Sequence, residues 1–120
     1  MKILIVEDEA IIALNLKRTL ESMGHQVLPV AVSMERAVEN TRGGKPDLIL
    51  MDILLKGDGT GIDAAYEIRR FSKVPIMFLT GNAFPLTDVE LEETKPCRIY
   101  SKPLSMKDLT SMLTRMENLG

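Results

Sequence analysis

Short apolar runs alternate with amphipathic stretches along the whole chain. The first run predicts a buried strand over residues 2–6, and the stretch 9–23 predicts a helix with Ile12, Leu16, Leu20 and Met23 on one stripe. Gly24 closes that helix. A second strand is expected near 26–31, then a helix capped by Ser33 and ended by Gly43-Gly44. A third strand covers 47–51 and is followed by a glycine-rich loop, 56–61, and a helix at 62–72. The fourth strand is 75–79, with a weaker helical segment over 86–94. A fifth strand at 98–101 precedes a last helix, capped by Ser105 and running to Asn118, with Met106, Met112 and Met116 near one face as core packing.

Five strand–helix units without a repeat or a composition break imply one α/β domain over 1–120, a parallel sheet with helices on both faces. The 120 residues suffice for a single hydrophobic core. The formal net charge of −2 gives no bulk electrostatic case for nucleic acid or an anionic membrane. Apolar runs of strand length are too short to span a bilayer. The lone Cys97 has no internal disulfide partner and fits a reducing compartment; His25 has no companions at metal-ligand spacing.

The strand ends carry the chemistry. The first strand stops on Glu7-Asp8, the third on Asp52, the fourth on Thr80, and the fifth on Lys102-Pro103. In a parallel α/β sheet these carboxyl ends share one edge, where ligands bind. Three like charges there are costly unless a cation offsets them, and an all-oxygen set favours Mg²⁺. Lys102 offers a point charge for phosphate, Thr80 a hydroxyl donor, and Asp52 a nucleophile able to form an aspartyl-phosphate.

These residues, in this order, resemble the receiver domains of two-component response regulators, and the likeness covers essentially the whole chain. The resemblance implies a flavodoxin-like doubly wound sheet of order 2-1-3-4-5. It implies a cytoplasmic phosphorelay protein that is not itself an enzyme. A histidine kinase or phosphotransfer protein would phosphorylate Asp52, aided by Thr80 and Lys102. Mg²⁺, with Mn²⁺ as substitute, would lie on Glu7, Asp8, Asp52 and the Leu54 carbonyl. It further implies a cis bond at Lys102-Pro103 and a switch in which Thr80 moves and Tyr100 turns inward. Output would pass to a downstream protein or to a domain beyond these residues. Two departures stand out: Glu7 opens the acidic pair, which would put it on the metal through a water, and the loop after Asp52 lacks the usual proline.

Alternatives remain. An aspartyl-phosphate phosphatase shares the nucleophile, but the haloacid-dehalogenase type needs a second acid two residues on, where this chain has Leu54. A degenerate receiver could serve purely as an interaction module. Gly57-x-Gly59-x-Gly61 lacks the dinucleotide-binding spacing and reads as a flexible loop. Ile11 and Leu14 lie off the apolar stripe of the first helix and are candidates for docking a kinase helix. Acids at Asp88, Glu90, Glu92 and Glu93 oppose bases at Lys95, Arg98, Lys107 and Arg115. That face, 86–94 with 98–101 and 105–118, is a candidate for a weak phosphorylation-dependent homodimer.

Overall fold

The computed structural model describes residues 1–55, 59–81, 86–102 and 104–119. Strands and helices alternate as β1 (Lys2–Val6), α1 (Ala10–Ser22), β2 (Gln26–Val27), α2 (Met34–Gly44) and β3 (Leu48–Asp52). They continue as α3 (Gly61–Arg69), β4 (Ile76–Thr80), α4 (Asp88–Glu93), β5 (Cys97–Ser101) and α5 (Met106–Leu119). All strand pairs are parallel, in the order β2-β1-β3-β4-β5. The connections leave β1 toward β2 on one side and then return to β3 on the other. The crevice where a ligand sits in such a sheet therefore opens between the ends of β1 and β3.

The pleat sorts each strand's side chains onto two cores. Leu4, Val6, Ile49, Met51, Ile76 and Phe78 pack with Ala37 of α2 and with Ala64, Ala65 and Ile68 of α3. Ile3, Ile5, Leu48, Leu50, Met77 and Leu79 pack with Leu16 and Leu20 of α1 and with Leu109, Met112 and Leu113 of α5. Burial on both faces explains why the central strands read as unbroken apolar runs. The last helix is only partly a core methionine face: Met112 is fully buried, but Met106 is 58% exposed on the first turn.

Two local differences from the sequence expectation have clear causes. β2 is two residues long, followed by a lone bridge from Ala31 to Val6. Gln26 and Leu28 N–H donate to Met1 and Ile3, but the next donor, to Ile5, is Ala31 rather than Val30, so one extra residue bulges the chain and interrupts the ladder. The second difference is in the cap of α2, which ends at Gly44 as expected but has Lys45, not a glycine, in the left-handed conformation. Gly44 serves packing there, because a Cβ on it would lie 2.7 Å from Leu28 Cδ1.

The expected caps form. Ser33 Oγ accepts Arg36 N–H at 3.2 Å. Ser105 and Asp108 bond reciprocally, side chain to backbone, at 3.0 and 3.2 Å. Thr60 with Asp63 and Thr87 with Glu90 add capping boxes at the starts of α3 and α4.

Candidate functional site

β1, β3 and β5 end at one edge of the sheet, with β4 between β3 and β5, and the side chains at their ends meet. Lys102 Nζ lies 2.6 Å from Glu7 Oε1 and 3.3 Å from Asp52 Oδ2. Glu7 is 2% exposed and Asp52 6% exposed, so the cluster is held out of bulk water. Glu7, Asp8 and Asp52 each place a carboxylate oxygen within 4.8 Å of the other two, a grouping able to hold a metal ion. Asp8 is only half-buried, which leaves the cluster open on its side.

Short backbone-derived contacts fix these groups. The second Glu7 oxygen accepts Glu9 N–H at 3.2 Å, and Asp52 Oδ1 accepts Leu54 N–H at 3.3 Å. Lys102 is anchored through its main chain, whose N–H donates to the Thr80 carbonyl at 2.8 Å. Burial, followed by the neighbouring Glu7 charge, pushes the Asp52 carboxyl up to about 6, with Lys102 pulling it the other way. Burial works against the Lys102 charge as well. The Glu7 hydrogen bond and the charges of Asp52 and Glu7 outweigh it and hold the ammonium above its ordinary range.

Thr80 ends β4 and is buried, opposite Ser101 in the ladder. Tyr100 pairs with Leu79 and packs into the α1/α5 core, and its buried hydroxyl has no hydrogen-bond partner among the described residues. Because side chains alternate along β4, Thr80 faces the other core, with Ile76 and Phe78. Thr80 and Tyr100, the expected switch pair, thus lie on opposite faces of the sheet. The β5 residues on Thr80's side of the pleat are Cys97, Ile99 and Ser101, of which Ile99 is 37% exposed. The expected cis bond at Lys102-Pro103 and the loop residues 56–58 lie outside the described residues. A cis bond is present at Lys95-Pro96.

Gly61 is a site residue that the sequence reading treated as part of a flexible loop. Its N–H donates to the Ile53 carbonyl at 2.8 Å, and a Cβ there would collide with the main-chain carbonyl of Asp52 and with Met51. Only glycine lets α3 start against the end of β3. The available signal was its place, directly at a helix start and nine residues past Asp52.

Around the cluster lie exposed apolar side chains. Ile11 is 76% exposed and Leu14 45% exposed on α1, and Leu54 is 49% exposed beside Asp52. Between α1 and the start of α5 is an open depression of about 220 Å³. Ile12, Leu16, Leu104, Met106 and Leu109 line it, with Lys102 at its wall. Among the described residues no helix is long and apolar enough to cross a membrane.

Residues 3–114 match the family model described as response regulator receiver domain. The phyllosphere-induced regulator PhyR of Methylorubrum extorquens is 33% identical over 115 residues, which cover 95% of this chain and 42% of that protein. The transcriptional regulatory protein PdtaR of Mycobacterium tuberculosis is 38% identical over 110 residues, 90% of this chain and 52% of that one. The chain thus spans about half, or less, of the length of these relatives. One similar solved structure is the N-terminal domain of a response regulator/sensory box/GGDEF three-domain protein from Carboxydothermus hydrogenoformans. It has a TM-score of 0.82 at 33% identity, covering 99% of this chain and 95% of that one. The receiver domain of PhyR from Erythrobacter litoralis gives 0.80 at 29% identity, covering 96% and 88%.

Proposed function

The chain belongs to the response regulator receiver domain family, and from that premise we propose that Asp52 accepts a phosphoryl group from a histidine kinase or phosphotransfer protein. The observation that carries the reading is the position of Asp52: buried at the topological switch point, 3.3 Å from an ammonium and beside two further carboxylates. In the reaction an Asp52 oxygen attacks phosphorus, the P–N bond of the phosphohistidine breaks, and its electron pair returns to the imidazole nitrogen. The product is an acyl phosphate on Asp52. Lys102 supplies positive charge to the phosphoryl oxygens, and Thr80 ends the neighbouring strand with a hydroxyl donor.

The acidic cluster suits a divalent ion, Mg²⁺ or Mn²⁺ in its place, with Asp8, Asp52 and the Leu54 carbonyl as the groups that would hold it. The ion would neutralise charge on the transferring group. The donor protein's helix would rest on Ile11 and Leu14 and reach the apolar depression between α1 and α5.

Output would pass through α4, β5 and α5. There Val89 and Ile99 are exposed between an acidic helix and a basic strand. The face could meet a downstream protein, a further domain or a second copy of the chain.

Incubation with acetyl phosphate and Mg²⁺, read by intact-mass spectrometry, tests this reading. A one-to-one adduct of about 80 Da supports a receiver. Continuous phosphate release from many esters would instead mean a phosphatase, and no adduct a module that only binds.

A further inference from the structure

We propose that Glu7 is a positioning residue that holds Lys102, and that the cation site consists of Asp8 and Asp52 without it; this rests on the phosphoacceptor reading above. Both Glu7 oxygens are already committed. Oε1 is 2.6 Å from Lys102 Nζ, and Oε2 accepts Glu9 N–H at 3.2 Å. The side chain is 2% exposed, so an ion bound through Oε1 would draw that oxygen away from the ammonium. Lys102 would then keep only Asp52, which lies farther away at 3.3 Å.

Charge balance gives an independent argument. Taken together, buried Glu7 and half-buried Lys102 form a neutral pair, which is how a carboxylate is tolerated away from water. If Glu7 joined a cation beside Asp8 and Asp52 instead, the half-buried ammonium would lose its closest counter-charge.

The extra methylene of glutamate is what makes the pair possible. It carries the carboxylate from the end of β1 toward the residue following β5, three strands away in the sheet. Lys102 is thereby held close to the oxygen of Asp52 on which a phosphoryl group would arrive.

The deciding measurement is Mg²⁺ affinity across a double-mutant cycle, read from backbone amide shifts by NMR in wild type, Glu7→Gln, Lys102→Met and the double variant. Glu7→Gln alone should weaken binding, since it turns Lys102 wholly onto Asp52, and Lys102→Met alone should strengthen it. The double variant deletes a neutral pair, the change most compatible with folding. It should bind Mg²⁺ with less than about a tenfold loss from wild type, below the usual effect of disrupting a metal site. A loss of tenfold or more in the double variant would overturn the assignment.

A second readout needs no metal: the Lys102 Nζ resonance should move in Glu7→Gln and also in Glu7→Asp, which keeps the charge but withdraws it by one methylene. A Lys102 signal unmoved in both would equally overturn it. Acetyl phosphate treatment of the same wild-type sample keeps the two proposals distinguishable. Absence of an adduct on Asp52 rejects the phosphoacceptor reading, whereas the cycle alone decides the role of Glu7.

Discussion

Lys102 stands 3.3 Å from Asp52 yet 2.6 Å from Glu7, so one ammonium is divided unequally between two buried carboxylates. Burial of Asp52, followed by the Glu7 charge, outweighs the pull of this shared ammonium, and the Asp52 carboxyl sits near 6 rather than at the ordinary 3.8. Between those values the folded protein binds more protons than the unfolded chain. Metal-free stability should therefore fall as pH rises through this window, because ionised Asp52 disfavours the folded state. Asp52→Asn should remove that slope and stabilise the metal-free protein at pH 7.5 by about 1 to 3 kcal/mol. Urea unfolding of both proteins from acid to neutral pH checks this, and parallel stability curves would contradict it.

Gly61→Ala tests the contact between α3 and the end of β3. The added methyl meets the Asp52 carbonyl, which is backbone and yields poorly. A cost of about 1 to 3 kcal/mol is expected, as for overpacking elsewhere. Phosphoryl uptake by the variant should fall along with stability, since Asp52 itself is displaced. A folded variant with wild-type stability would show that the loop simply moves aside.

Tyr100→Phe removes a buried hydroxyl that has no partner among the described residues. Such a group carries a desolvation cost of about 1 to 3 kcal/mol. The variant should thus be as stable as wild type or more so, by about 1 kcal/mol. A clear loss in chemical denaturation would mean that the hydroxyl is satisfied in solution.

Most of the fold was legible because every central strand is a buried run bounded by polar residues, and every helix has a cap or a glycine at an end. Strand order followed from the resemblance. The site was legible because parallel strands must bring Glu7, Asp8, Asp52, Thr80 and Lys102 to one edge. What stayed hidden depends on side-chain reach and pleat phase. No spacing rule says that Glu7 spans to Lys102, or that Gly61 touches the Asp52 carbonyl. Tyr100 was assigned by its distance from Lys102 along the chain. Which way it faces depends on the register with β4, where its partner is Leu79 and not Thr80.

The α4–β5–α5 face leads to a prediction about association. Glu92 already pairs with Lys95 at 2.8 Å within the chain, so part of the opposite charge is satisfied internally. Exposed pairs contribute about 1 kcal/mol or less each and are screened by salt. The protein should sediment mainly as a monomer, with more dimer when beryllofluoride and Mg²⁺ occupy the site at low salt. Equal masses in both states would remove the dimer while leaving Asp52 as phosphoacceptor.

The central claim is that Asp52 is the nucleophile, and the most direct test is to locate the phosphoryl group. Wild type and Asp52→Asn are treated with acetyl phosphate and Mg²⁺, then digested at acid pH for peptide mass spectrometry. The account predicts about 80 Da on the peptide containing Asp52 in wild type, labile to hydroxylamine as an acyl phosphate must be, and nothing on the variant. An adduct of the same yield on Asp52→Asn, or one placed on another residue in wild type, would contradict it.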